Sequence, residues 1–153
     1  DSYTVPATTA LQYVFSDYPA GVQYAIGEEH QLDDVVSLTV NGGHLTTQLR
    51  LYAGADAVFS SAKNIDSIVV EAGYKNSTLN VYSSFDGIDF ELVATQKTYS
   101  SYANYSFEMP AGTRYIMLEA VGAQIRVPEM TIVFLFLHLL HFSEQELFHI
   151  AHF

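Results

Sequence analysis

The sequence predicts an all-β fold, an antiparallel β-sandwich of the jelly-roll type with a short C-terminal helical tail. From Leu11 to about Val133, apolar and polar residues alternate in short runs, which is the two-residue period of strands with one buried face. Gly, Asn, Asp and Ser separate these runs, and the 3.6-residue period of helices is absent there. Eight or more strands spaced in this way are typical of sandwiches and jelly rolls.

Composition sets the broad class of the protein. With 153 residues, 49% of them hydrophobic and 15% charged, the chain can bury one full core and is not a disordered segment. The 17 Asp and Glu exceed the 6 Lys and Arg and give a formal net charge of -11, so that a phosphate backbone would be repelled over most of the surface. Nucleic acid is therefore not an expected partner. The absence of cysteine excludes disulfides and thiolate metal sites.

Alternation and turn residues together define the predicted strands. These are Val35 to Val40, Leu45 to Tyr52, Ile65 to Ala72, Leu79 to Ser83, Phe90 to Ala94, Tyr105 to Met109, Tyr115 to Val121 and Ile125 to Val133. Asn41-Gly42-Gly43 predicts a hairpin turn between the first two strands, because glycine tolerates the positive φ of a tight reversal. Asp86-Gly87 and Pro110-Ala111-Gly112 predict two further turns between antiparallel neighbours.

The same alternation predicts which side chains face solvent. In the second strand it sends inward the residues Leu45, Leu49 and Leu51, and outward the residues Gln48, Arg50 and Tyr52. In the fourth strand it buries Leu79 and Val81 and exposes Asn80 and Tyr82. The outer faces are therefore expected to present tyrosines beside polar groups.

These outward groups are the predicted binding residues. Tyrosine rings suit sugars, whose apolar C–H faces stack on aromatic planes while their hydroxyls bond to Arg, Asn or Gln, and the chain has 11 Tyr and 10 Phe. The predicted carbohydrate contacts are Gln48, Arg50, Tyr52, Asn80 and Tyr82. The alternative is that these tyrosines only cover the sheet by cross-strand packing.

No enzyme motif stands out. A nucleophile elbow, a phosphate-binding glycine loop, a His-Glu-x-x-His helix and a helix-loop-helix calcium loop are all missing from the sequence. His30 or His44 with Arg50 and a nearby Tyr would supply the base, charge neutraliser and acid of a polysaccharide lyase. Nothing in the spacing forces these groups to converge, so the chain is expected to have no catalytic residues.

An acidic segment raises the question of a bound cation. Residues 28–34 read Glu-Glu-His-Gln-Leu-Asp-Asp, and such oxygen ligands suit a structural Ca²⁺. A solvated acidic turn is the favoured interpretation, because calcium loops also need carbonyl ligands and glycine at defined positions. No cofactor or metal is therefore expected.

The chain changes character near its end, and we predict a sandwich module over residues 1–133 and an apolar, His-rich extension over 134–153. The apolar run of the extension is too short to span a bilayer, so no transmembrane segment is expected. Ser143-Glu144-Gln145-Glu146 is a capping box that predicts a short helix through His152. The tail histidines are His138, His141, His149 and His152; we expect a packing element or a non-native extension, with metal or membrane-surface contact as the alternative.

A resemblance supports the fold. Residues 79–93, Leu-Asn-Val-Tyr-Ser-Ser-Phe-Asp-Gly-Ile-Asp-Phe-Glu-Leu-Val, resemble the strand, Ser-x-Asp-Gly-x-x-Trp, strand hairpin of discoidin-like and galactose-binding-like sandwiches. Residues 48–52 followed by 65–70, and 115–118 followed by 124–127, resemble further strands of such modules in Bacteroidetes surface proteins. The resemblance covers roughly residues 10 to 133. Phe90 stands where the family has Trp, and the chain contains no Trp.

This resemblance implies a jelly roll, export or surface anchoring, and glycan binding as an appendage of a larger protein. A start at Asp1 and the acceptor tripeptides at Asn76 and Asn104 fit a processed, secreted chain. We therefore expect a non-catalytic module, secreted or at the cell surface, that binds a glycan or another surface ligand. The alternatives are a structural or adhesion domain without a glycan ligand and, less favoured, the lyase.

Overall fold

The protein is built almost entirely of antiparallel strands. The computed structural model describes residues 2–18 and 28–141, with side chains over 6–18 and 28–136. The strands are β1 (Ser2–Val14), β2 (Glu29–Gln31), β3 (Val36–Leu45), β4 (Leu49–Ser61), β5 (Ile65–Ala72), β6 (Ser77–Ser84), β7 (Glu91–Thr98), β8 (Ala103–Glu108), β9 (Tyr115–Val121), β10 (Ile125–Val127) and β11 (Glu129–His141). One 3₁₀ turn, Phe15–Asp17, follows β1.

The strands form two sheets. The smaller sheet has the order β1-β11-β5-β8, and the larger has the order β2-β3-β4-β9-β6-β7, with β10 also paired to β4. Each of these pairings is antiparallel. The predicted class, an all-β antiparallel sandwich, is confirmed.

One hydrophobic core lies between the sheets. On β5 the residues Ile65, Ile68, Val70 and Ala72 are buried, and on β9 the residues Ile116, Leu118 and Ala120 are buried. Phe15 on the 3₁₀ turn and Phe59 on β4 are fully buried, with ring centroids 6.4 Å apart. Because burying one such large side chain contributes about 1.5–3 kcal/mol, this core is the main stabilising term.

The first predicted hairpin exists, but its turn was placed wrongly. Strands β3 and β4 pair as expected, but Asn41 to Gly43 forms a bulge inside β3. The chain reverses at Thr46, whose N–H donates to the carbonyl of Gln48 (3.1 Å). Gly43 is required because a Cβ there would collide with the carbonyl oxygen of Arg50. The role of Gly43 is therefore to let two backbones approach closely, and not to form a turn.

The next two predicted turns had different outcomes. Asp86-Gly87 does connect the antiparallel pair β6 and β7, and Gly87 has a φ of 78°. The expectation that Pro110 to Gly112 joins antiparallel neighbours was wrong. Strand β8 pairs with β5 in the smaller sheet, whereas β9 pairs with β4 and β6 in the larger one. The segment is a crossing between sheets, which turn residues alone do not distinguish from a hairpin.

The predicted strand Ile125 to Val133 is divided in two at Pro128. Proline has no N–H for the ladder, and β10 therefore joins the larger sheet while β11 begins at Glu129 in the smaller one. Strand β11 pairs with β1 as far as His141, so residues 134–141 of the predicted extension continue a strand of the smaller sheet.

The rest of the tail is not covered by the structure. The predicted helix from Ser143 to His152, including His149 and His152, lies outside the described residues, and the domain boundary at residue 133 stays a prediction. Across the residues that are described, no helix is long and apolar enough to cross a membrane.

Candidate functional site

Four chain segments meet at one end of the sandwich. They are the β3–β4 turn, the β5–β6 loop, the β7–β8 loop and the β9–β10 connection. We call this region the basic end and define it by the residues His44, Gln48, Arg50, Tyr52, Tyr74, Lys75, Tyr102 and Arg126. Backbone and side-chain contacts join the four segments there.

A row of basic residues crosses three strands at the basic end. Arg50 of β4 lies directly opposite His44 of β3 on one side and Arg126 of β10 on the other. The His44 ring meets the Tyr52 ring edge-on, with centroids 5.3 Å apart. The Nε atom of Arg50 is buried and has no hydrogen-bond partner among the described residues.

Tyr74 is held in a strained backbone conformation beside this row. Its φ of 100° is rare for a residue with a bulky side chain. Gly73 exchanges two backbone hydrogen bonds of 3.1 Å with Arg126, and the N–H of Tyr74 donates to the carbonyl of Ser100 (3.3 Å). The Arg126 guanidinium carbon lies 3.5 Å from the centroid of the Tyr74 ring, and Lys75 Nζ lies 5.3 Å from it. Strain of this kind is concentrated at functional sites.

Tyr102 connects its own loop to two of the other segments. Its hydroxyl donates to Gln48 Oε1 (3.3 Å), and its ring packs on Gly73 so closely that a Cβ on Gly73 would lie 2.8 Å from Tyr102 Cγ. Any side chain at position 73 would therefore displace Tyr102. The β5–β6 loop, the β7–β8 loop and the β3–β4 turn are thereby fixed relative to one another.

The structure brings together three of the five predicted binding residues. Gln48, Arg50 and Tyr52 all lie at the basic end, and Tyr52 is 40% exposed. The outward orientation predicted for them agrees with the burial of their neighbours Leu49 and Leu51.

Asn80 and Tyr82 lie elsewhere, in the middle of the larger sheet. The Tyr82 hydroxyl donates to Glu119 Oε1 (3.0 Å), and Asn80 Nδ2 donates to the same oxygen (3.2 Å). Partial burial, and then the hydrogen bond to Glu119, raise the pKa of Tyr82 above its ordinary value. Tyr82 is level with Val58 of β4, six residues beyond Tyr52, so the two tyrosines are separated by up to roughly 20 Å along the strands.

The lyase constellation is only partly assembled. His44 lies beside Arg50 and Tyr52, but its contact with Tyr52 is an edge-on ring contact. His30 is on β2 opposite Leu38 and therefore lies away from Arg50 along the larger sheet.

Within the acidic segment, Asp33 stabilises the fold through its carboxylate. Asp33 Oδ2 accepts the hydrogen bond of the Tyr13 hydroxyl (2.8 Å), and Asp33 Oδ1 accepts from the N–H groups of Val35 (2.8 Å) and Val36 (2.7 Å). Burial, and then the hydrogen bond to Asp33, raise the pKa of Tyr13. Within the part of the chain that the structure describes, no three His, Cys, Asp or Glu side chains are grouped to hold a metal ion.

Sequence reasoning missed Tyr74, Lys75, Tyr102 and Arg126. Tyr74, Lys75 and Tyr102 lie in loops, where the two-residue period gives no information on direction, and Arg126 lies within a predicted strand whose outward residues were not assigned. One signal was present in the sequence: the segments 43–52, 72–78, 97–103 and 120–128 contain four of the six Lys and Arg and none of the 17 Asp and Glu. Only the fold shows that these segments meet.

Comparison with known proteins gives structural likeness alone. No protein-family model matches the chain, and no curated protein matches it. A pectin-binding carbohydrate-binding module is similar at a TM-score of 0.54 and 15% identity, covering 65% of this chain and 90% of that one. The K2 cleaved adhesin domain of Lys-gingipain is similar at a TM-score of 0.55 and 12% identity, covering 81% and 99%. A family 29 carbohydrate-binding module from Piromyces equi is similar at a TM-score of 0.53 and 12% identity, covering 82% and 91%.

These likenesses confirm the predicted resemblance at the level of fold. The chain has the galactose-binding-like β-sandwich architecture shared by carbohydrate-binding modules and adhesin domains. At identities of 12 to 15% they do not identify a ligand.

Proposed function

We propose that this chain is a non-catalytic carbohydrate-binding module of a secreted or surface protein and that it binds glycan at the basic end. The observation that carries the proposal is the convergence of Tyr52, Tyr74 and Tyr102 with two arginines from separate segments of the chain. Sugars bind where aromatic planes lie beside hydrogen-bond donors in fixed positions.

The exposure of these groups fits the proposal. Tyr52 and Tyr102 are each 40% exposed, which leaves ring surface for the C–H face of a sugar. Gln48 orients the Tyr102 hydroxyl. The similar structures include carbohydrate-binding modules, which supports the same class of ligand.

A glycan array tests the proposal. The purified chain is applied with and without Ca²⁺, together with the variants Arg50→Ala and Tyr52→Ala. We expect retention of at least one glycan by the parent chain, and loss of that retention in both variants. Retention of no glycan by the parent would contradict the proposal and favour a structural or adhesion domain.

Tyr82→Ala and Asn80→Ala are the matched controls for position. These two predicted contacts define a second, separate location in the middle of the larger sheet, so loss of binding in them alone would move the site there. If the retained polymer is cleaved with formation of an unsaturated product, the lyase alternative with His44 is supported instead. A His44→Ala variant that still cleaves would remove His44 from that role.

A further inference from the structure

Two arginines face each other at the basic end without a counter-charge. Arg50 and Arg126 are directly opposed across the antiparallel pair of β4 and β10. Like charges in directly opposed positions destabilise a sheet. Arg126 Nε donates to Gln124 Oε1 (3.0 Å) and its guanidinium stacks on Tyr74, but these neutral partners do not offset the repulsion between two cations.

The rest of the basic end adds positive charge and no negative charge. The four connections and the strand ends beside them, residues 43–52, 72–78, 97–103 and 120–128, contain Arg50, Lys75, Lys97 and Arg126 but neither Asp nor Glu, in a chain whose net charge is -11. Three acidic residues directly flank these segments, and their side chains are placed elsewhere: Glu71 lies on the outer side of β5. Glu119 accepts hydrogen bonds from Asn80 and Tyr82 in the middle of the larger sheet, and Glu129 accepts one from Gln12 of β1 (2.7 Å). The positive charge is thus segregated at one end of an otherwise acidic molecule.

A groove extends the cationic surface. It has a volume of about 350 Å³ and is lined by residues that include Asn76, Lys97, Tyr99 and Gly122. Asn76 directly follows Lys75 in the β5–β6 loop, and no acidic side chain lines the groove. A volume of this size is in the range of small-ligand sites.

We infer that the basic end takes an acidic glycan, one that carries carboxylate or sulfate groups along its chain. The inference rests on the proposed function and names its ligand class. An anion between Arg50 and Arg126 converts a repulsive pair into a two-sided clamp, because guanidinium groups bind carboxylate and sulfate oxygens through paired N–H donors. The tyrosines then hold the sugar ring that carries the anion.

A glycan fits this surface better than a nucleic acid does. The cations cover only one end, whereas a nucleic acid carries a phosphate at every residue and would also meet the strongly acidic remainder of the chain. An oligosaccharide of a few acidic residues fits within the basic end and its groove.

The experiment compares polymers that differ only in charge. Polygalacturonate and its methyl-esterified form share one backbone, and dextran sulfate and dextran share another. Binding to each, and to single-stranded DNA, is measured by titration at low and high salt. We expect the acidic member of at least one pair to bind at least about tenfold more tightly than the neutral member, and high salt to reduce this difference.

Arg50→Gln and Arg126→Gln test the clamp, with Lys63→Gln as a control for the same loss of charge at the other end of the sandwich. We expect each arginine variant to weaken binding of the acidic polymer about tenfold or more and the control to leave it unchanged. Arg50→Gln should also raise the melting temperature of the ligand-free protein by about 1–3 °C at low salt, because it removes the repulsion from Arg126.

The outcomes separate the inference from the proposed function. Equal binding of acidic and neutral members, or binding to neutral glycans only, would overturn the inference and leave the carbohydrate-binding function standing. Retention of no glycan at all would overturn both. Tighter binding to DNA than to any acidic glycan, or an unchanged affinity in both arginine variants, would also overturn the inference.

Discussion

The two ends of the sandwich use polar side chains in opposite ways. At the β6–β7 turn, Ser84 Oγ accepts from the N–H of Gly87 (2.9 Å), and Asp86 Oδ1 accepts from the N–H groups of Ile88 (2.9 Å) and Asp89 (3.0 Å). The polar groups of this turn are satisfied by residues within three positions in the chain. The polar side chains of this turn are therefore explained by the needs of the backbone.

At the basic end the polar groups are placed without such local satisfaction. Arg50 has an unused buried Nε and an arginine opposite it, and Tyr74 is held at a φ of 100°. Each of these features costs stability. Folding therefore accounts for the polar groups of the β6–β7 turn, whereas the basic end carries costs that folding alone does not explain. The glycan site proposed above would account for the opposed arginines and the strained Tyr74.

The largest expected effect comes from the backbone contact beneath the basic end. Gly43→Ala would force a Cβ into the carbonyl oxygen of Arg50, where both residues belong to paired strands. We expect a loss of about 3 kcal/mol in the free energy of unfolding, together with loss of glycan binding as Arg50 is displaced. Urea denaturation measures the stability.

Gly54→Ala is the matched control on the neighbouring strand. Gly54 also has a positive φ of 82°, but no heavy atom lies within 4 Å of the position of its Cβ. The loss should therefore be about 1 kcal/mol, from backbone conformation alone. Equal losses in the two variants would show that the contact of Gly43 with Arg50 does not support the basic end.

The second effect concerns the β6–β7 turn. Ser84→Ala removes the acceptor of the Gly87 N–H at a position that is 3% exposed. We expect a loss of about 1–2 kcal/mol from the unsatisfied donor, with glycan binding unchanged. Ser83→Ala is the control, since Ser83 is also buried but its hydroxyl makes no hydrogen bond to the described residues. Loss of binding in Ser84→Ala would remove the functional contrast between the two ends.

The two ends also differ in how far the sequence predicts them. The β6–β7 turn was predicted because Asp86-Gly87 and its flanking strands lie in one short stretch, and its hydrogen bonds are equally local. Strands β5 and β9 were predicted with their observed limits because alternation continues to both ends.

The basic end could be predicted only in part. Alternation along β4 predicts that Arg50 and Tyr52 face outward. Tyr74, Tyr102 and Arg126 join them through contacts between segments that are roughly 20 to 80 positions apart in the chain, and local sequence patterns carry no information on contacts over such separations. The misplaced turn at Gly42 and Gly43 has the same origin. The need for glycine at position 43 comes from Arg50 on the next strand, and a single stretch of sequence does not show it.

The third effect isolates the strain at Tyr74. Tyr74→Ala and Tyr74→Gly both remove the ring that stacks on Arg126, so both should lose glycan binding. Only alanine still carries a Cβ at a positive φ, and the glycine variant should therefore be more stable than the alanine variant by about 1 kcal/mol. Thermal and urea denaturation compare the two. Equal stabilities would mean that the backbone strain at Tyr74 contributes nothing to the contrast between the ends.

The smallest effect is electrostatic and belongs to the β6–β7 turn. The N–H groups of Ile88 and then Asp89 lower the pKa of Asp86 from its ordinary value of 3.8. A carboxyl group whose pKa is lowered in the folded state stabilises the protein above its unfolded pKa, and this contribution is lost as the pH falls through the folded pKa.

Asp86→Asn keeps an acceptor oxygen but cannot ionise. The variant should therefore melt slightly below the parent chain at pH 7, and the difference should vanish as the pH falls below 3.8. Melting curves across this range measure it, and a difference that grows with acidity would show that the charge on Asp86 does not stabilise the turn.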